Sequence, residues 1–66
     1  MNEKLTDREQ EILSYIAKGM TNKEIASELC ISRHTVIAHI SEILRKLKLN
    51  NRINAAIFFY AQNQGM

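Results

Sequence analysis

Two stretches, Thr6-Asp7-Arg8-Glu9 and Thr21-Asn22-Lys23-Glu24, constrain this chain more than anything else in it. Each is a capping box: the threonine hydroxyl accepts from the amide three residues on, and the glutamate reaches back to the threonine amide. Asp7 and Glu9 also place negative charge at the positive end of the helix dipole. A first helix is therefore expected over 7–18, with Ile12, Leu13, Ile16 and Ala17 at helical spacing and Gly19 in the left-handed position beyond its end. A second helix over 22–29 has Ile25, Ala26 and Leu29 on its apolar face. Ile31 plugs the core from the following turn, and Ser32 caps a third helix over 33–47. Asn51 caps a fourth over 52–62, beyond which Gln64-Gly65-Met66 is expected to fray.

Composition agrees with helices and argues against a sheet. The chain has no Pro and two Gly among 66 residues, and it is rich in Ile, Leu, Ala, Glu and Lys. The expected fold class is all-α: one domain over 1–66, four helices, no wing. A chain of this length buries only about 60% of the surface it exposes when unfolded, so stability is modest. Cys30 is the single cysteine. It cannot form an internal disulfide, lacks the Cys/His spacing of a zinc module, suits a reducing compartment and is expected to be buried or half-buried as a small apolar residue. The apolar run from Ala55 to Ala61 is far below the roughly 18 residues that span a bilayer, and Met1 to Thr6 is too polar for a signal peptide. The expected location is the cytoplasm, with no membrane contact.

The net charge of +2 is unevenly spread. Up to Glu28 the acids Glu3, Asp7, Glu9, Glu11, Glu24 and Glu28 outnumber the bases Lys4, Arg8, Lys18 and Lys23, giving −2. After it Arg33, Arg45, Lys46, Lys48 and Arg52 face only Glu42, giving +4. That asymmetry fits a polyanion approaching the second half, or a solvated helix face that is merely basic.

Two helices joined by Cys30-Ile31-Ser32, the second much longer, form a helix-turn-helix pattern without the usual turn glycine. On the third helix Val36, Ile40, Ile43, Leu44 and Leu47 fall within about 100° of one another and must face the core. The opposite face carries His34, Ala38, Ser41 and Arg45 in a line, with Thr35 and Glu42 beside it and Ile37 on one shoulder. Ile37 and Ala38 can contact a thymine methyl, Ser41 can bond a base or phosphate, and His34 and Arg45 can reach phosphate or guanine.

"LTDREQEILSYIAKGMTNKEIASELCISRHTV" followed by "AHISEILRKLKL" resembles the LuxR/FixJ/GerE-type helix-turn-helix domain of bacterial transcription regulators, over Leu5 to about Ala61. The resemblance implies a sequence-specific binder of double-stranded DNA that recognises a pseudo-palindromic operator as a homodimer, with the third helix in the major groove. It implies phosphate contacts at the start of the second helix, Thr21, Asn22 and Lys23, and at the Thr35-Val36 step, with Lys46 a further basic contact. Base contacts map to Ile37, Ala38 and Ser41. Phosphate neutralisation falls to Lys23, Arg33, Arg45, Lys46 and Lys48. Ile37 stands where the family often has Lys or Arg, Ile53 where it often has Thr or Ser, and Lys48 where Gly is frequent. Such domains also occur behind a receiver or ligand-binding domain, as in two-component response regulators, or as free-standing regulators.

In "RINAAIFFYAQ" the stripe Ile53, Ala56, Ile57 and Tyr60 suffices to close the core, which leaves Ala55, Phe58, Phe59 and Gln62 as the expected dimer interface. The alternative packs a phenylalanine inward. No enzymatic role, cofactor or metal is expected: His34 and His39 lie about 140° apart around the helix, and no carboxylate accompanies Cys30 and His34. A protein-interaction module of the same fold is the competing function, kept open by the uncharged Ile37, Ala38 and Ser41.

Overall fold

The computed structural model describes residues 3–64, with side chains through Gln62. Its four helices are α1 (Asp7–Ala17), α2 (Asn22–Leu29), α3 (Arg33–Leu47) and α4 (Arg52–Gln64). There is no strand among the described residues. Both capping boxes close. Thr6 Oγ1 accepts from the Glu9 amide at 3.1 Å while the Thr6 amide donates to Glu9 Oε1 at 2.9 Å, and Thr21 with Glu24 repeats the exchange at 3.1 and 2.8 Å. Ser32 Oγ accepts from the Thr35 amide at 3.1 Å, and Asn51 Oδ1 from the Asn54 amide at 2.9 Å. The expected fraying of Gly65 and Met66 lies outside the described residues; helix continues through Gln64.

The first three helices end in one way. Met20 donates to the Tyr15 carbonyl and Gly19 to that of Ile16; Ile31 donates to Ala26 and Cys30 to Ser27; Leu49 donates to Leu44 and Lys48 to Arg45. These are Schellman pairs, and each needs a left-handed residue at the hinge. Gly19 takes φ +85 without strain, but Cys30 at φ 57 and Lys48 at φ 58 are side-chain-bearing residues in the same conformation. Cys30 consequently turns outward and is exposed, which corrects the buried role expected of it.

The core joins Ile12, Leu13 and Ile16 of α1, Ile25 and Ala26 of α2, Val36, Ile40 and Ile43 of α3, and Ala55 of α4. Leu29, Ile31, Leu44 and Leu47 pack against it half-buried. Beneath α3, the Lys46 ammonium reaches Glu9 Oε1 at 2.8 Å, with both side chains largely covered.

The fourth helix is rotated relative to the expectation. Ala55 is fully buried and Phe58 and Phe59 pack against the core, whereas Ile53 is 69% and Ile57 60% exposed. Tyr60 lies at the surface with its hydroxyl on the Ala17 carbonyl at 2.8 Å. Of the side chains expected at an interface, Ala55, Phe58 and Phe59 are therefore turned inward and only Gln62 is exposed. Two physical reasons select this rotation. Two phenylalanine rings withdraw more apolar area than the competing stripe, whose Tyr60 must keep its hydroxyl bonded. Arg52, one helical face with Ala55 and Phe59, is pinned by hydrogen bonds to the Met20 carbonyl and Asn22 Oδ1, so the rotation is set from the first turn.

Candidate nucleic-acid interface

The starts of α2 and α3 and the start of α4 surround an open cleft of about 620 Å³ lined by Thr21, Asn22, Lys23, Arg33, His34, Ile37 and Arg52. The turn between α2 and α3 brings these segments together, because the left-handed Cys30 reverses the chain within three residues. Six of the residues expected from the sequence thus share one concave surface. The seventh, Arg52, was not among them. Its partners, Asn22 Oδ1 and the Met20 carbonyl, lie some thirty positions away in sequence, so no local signal could have placed it there.

From the cleft, the outward face of α3 continues through Ala38, Ser41 and Arg45, all exposed, with Ile37 49% exposed on the shoulder. Thr35 is exposed and its hydroxyl lies 2.9 Å from Ser32 Oγ. Val36 is fully buried in the core stripe expected of it, so at the Thr35-Val36 step only Thr35 presents its side chain at the surface. His39 is half-buried at the flank.

The cations of α2, α3 and the start of α4 differ in their partners. Arg45 is held by two carboxylates: Nη1 and Nη2 meet Glu3 at 2.8 and 3.0 Å, and Nη2 meets Glu42 at 2.7 Å. These bonds raise the arginine's pKa further, and the guanidinium in turn holds the Glu3 and Glu42 carboxyls below the ordinary glutamate range. Lys46 is turned inward onto Glu9, away from the line formed by His34, Ala38 and Ser41. Burial pushes the Glu9 carboxyl up, but its hydrogen bonds with Lys46 and Thr6 outweigh this and leave it lowered. Lys23, Arg33 and Arg52, in contrast, have no carboxylate partner among the described residues. Arg52 is bonded only to neutral oxygens, Asn22 Oδ1 at 2.6 Å and the Met20 carbonyl at 2.8 Å, so its charge is uncompensated. Three uncompensated cations therefore meet at the starts of α2, α3 and α4, whereas Arg45 and Lys46 toward the far end of α3 are paired; Lys48, exposed just beyond that end, has no carboxylate partner among the described residues.

Residues 3–59 match the family model of bacterial regulatory proteins, luxR family. The chain belongs to the luxR family of bacterial regulatory proteins. The resemblance carried by its capping boxes, Asn22-Lys23-Glu24-Ile25-Ala26 and Thr35-Val36 is thereby borne out. Among luxR-family relatives, a nitrate/nitrite response regulator protein homolog of Haemophilus influenzae is 48% identical over 60 residues, covering 91% of this chain and 29% of that protein. The transcriptional regulatory protein LiaR of Bacillus subtilis is 53% identical over 57 residues, 86% of this chain and 27% of LiaR. The crystal structure of the response regulator ChrA of a heme-sensing two-component system superposes with a TM-score of 0.86 at 35% identity, over 96% of this chain and 31% of ChrA. The chain thus spans under a third of the length of these relatives, and its all-α fold is that of a luxR-family helix-turn-helix domain. No helix among the described residues is long and apolar enough to cross a membrane.

Proposed function

We propose that this domain binds double-stranded DNA sequence-specifically as the effector part of a cytoplasmic transcription regulator, with the first half of α3 in the major groove. One observation carries the reading: three cations without carboxylate partners among the described residues, Lys23, Arg33 and Arg52, line one cleft at the exposed start of α3, while Arg45 and Lys46 are committed to acids. In helix-turn-helix docking the leading residues of the recognition helix meet base edges. Lys23 and Arg33 neutralise phosphates, and the first amides of α2, at Asn22 and Lys23, are left free by the cap and donate to one. Thr35 adds a hydroxyl. Ile37 and Ala38 read thymine methyls, Ser41 bonds a base or phosphate, and His34 works at the margin. Lys46 is reassigned from DNA contact to fold support. Arg45 is available only when it leaves Glu3 and Glu42. A homodimer on a pseudo-palindromic operator follows if the exposed Ile53, Ile57 and Tyr60 face of α4 meets its copy. The relatives named as response regulators support a parent chain that also carries a receiver domain controlling this one.

Duplex binding against salt tests the proposal. With one phosphate on each of Lys23 and Arg33, log K against log salt falls with a slope of about −2 per domain and about −4 for a dimer. No retained duplex at low salt would reject DNA binding in favour of a protein-interaction module.

A further inference from the structure

We propose that Arg52 is a positioning residue for DNA binding: by capturing Asn22 Oδ1 it fixes the Asn22 amide so that the donor end, Nδ2, is the one left for the incoming phosphate. The inference rests on the DNA-binding reading above. Asn22 is the first residue of α2 and lines the cleft. An asparagine amide has an acceptor end and a donor end, and unconstrained it presents either. A phosphate oxygen only accepts, so the acceptor end turned outward would repel it. A guanidinium only donates, so the atom facing Arg52 Nη1 at 2.6 Å must be Oδ1. Nδ2 is left as the free end and makes no hydrogen bond among the described residues.

Arg52 is itself immobilised. Its second nitrogen donates to the Met20 carbonyl at 2.8 Å, so the planar fork spans two acceptors at once, and the side chain is half-buried where it does so. Lysine can carry the same charge but cannot hold that two-pronged geometry. The guanidinium also polarises the amide it holds, which strengthens Nδ2 as a donor.

A double-mutant cycle on duplex affinity tests the assignment, using the intact 66-residue chain at a temperature where circular dichroism shows every variant folded. Asn22→Ala should weaken binding about tenfold, as expected for losing a hydrogen bond to a charged acceptor. Arg52→Lys should weaken it comparably with the salt slope unchanged, because the charge is kept. In the Asn22→Ala background, measured on a single half-site so that the α4 contact does not enter, Arg52→Lys should then have no further effect. Additive losses, or wild-type binding by Arg52→Lys, would overturn the assignment. If Arg52→Lys does not fold, the unmutated chain still decides by NMR. On adding duplex the Asn22 side-chain NH2 pair should shift while the Arg52 Nε–H stays in place. A shifted Arg52 with a static Asn22 would overturn the assignment, as would α3 shifts that leave both static. No shift anywhere would instead reject the DNA-binding reading.

Discussion

At the scale of single residues, the unusual feature is that two side-chain-bearing residues hold left-handed hinges. Cys30 and Lys48 sit near φ 57 in the position that Gly19 fills at the end of α1. Left-handed geometry costs an L-residue roughly 1–2 kcal/mol, offset in part by the greater unfolded-state freedom of glycine. Cys30→Gly and Lys48→Gly should therefore each stabilise the domain by about 0.5 kcal/mol, visible as a rise of about 2–4 °C in thermal melts. A lower melting temperature for either variant would mean that its side chain supports the turn. A second residue-scale consequence concerns Glu3, which holds Arg45 in two hydrogen bonds on the face proposed to meet DNA. With Glu42 also present, the three charges sum to −1 there, which repels phosphate. Glu3→Gln combined with Glu42→Gln should raise duplex affinity several-fold at low salt and steepen the salt dependence by about one phosphate, as Arg45 becomes available. The same change in an Arg45→Ala background should gain less; equal gains would show a general charge effect instead of release of Arg45.

At the scale of elements, most of the fold was legible because the helix signals are local. Thr6, Thr21 and Ser32 lie within three residues of the amides they cap, so spacing along the chain suffices to read them. The core face of α3 was legible for a similar reason: Val36, Ile40 and Ile43 fall in one stripe, and their angle around the helix sets the exposed Ile37 and Ala38 apart from it. The fourth helix carries apolar residues around most of its circumference, and local pattern cannot choose between two stripes. What chooses is Arg52 bonding to Met20 and Asn22, a contact across some thirty positions of sequence that periodicity does not contain. The Lys46 ion pair was illegible for the same reason, since its partner Glu9 lies on another helix. That pair has an electrostatic consequence. Glu9 has a lowered pKa in the folded chain, so its contribution to stability is complete above the ordinary value of 4.5 and is lost as pH falls through the lower folded value. Acid unfolding should therefore steepen below pH 4.5. Glu9→Ala should remove that part of the pH dependence and cost about 2–3 kcal/mol near neutrality in urea unfolding, less than stranding a fully buried charge because the Lys46 stem can swing outward. If wild type and variant show parallel pH profiles, the pair contributes nothing to the acid limb.

At the scale of the whole molecule, the cleft and the exposed apolar strip meet at the start of α4, where Arg52 lines both the cleft and the groove beside the strip. The cleft gathers cations from the starts of α2, α3 and α4, whereas Ile53 and Ile57 leave an apolar strip along α4. The groove between α1 and α4 beside that strip is lined by Ile16, Gly19, Met20, Arg52, Ile53 and Ala56, which extends the apolar area toward the α1 end. A domain this small has little hydrophobic area to spare, so leaving two isoleucines in water is costly unless a partner covers them. If a two-fold contact forms through this strip, its two α3 helices must reach successive major-groove half-sites, roughly one helical turn of DNA apart. Substitutions on the two faces of α4 should then behave differently. Ile57→Asp should leave helicity and melting nearly unchanged, reduce self-association in sedimentation, and weaken binding to a two-half-site duplex far more than to a single half-site. Phe58→Asp places a carboxylate against the packed side of the same helix and should lower the melting temperature directly, at either duplex length. If Ile57→Asp binds the two-half-site duplex as tightly as the unmodified chain, the strip is not the dimer contact. If Phe58→Asp melts like wild type while abolishing association, the interface lies on the opposite face of α4.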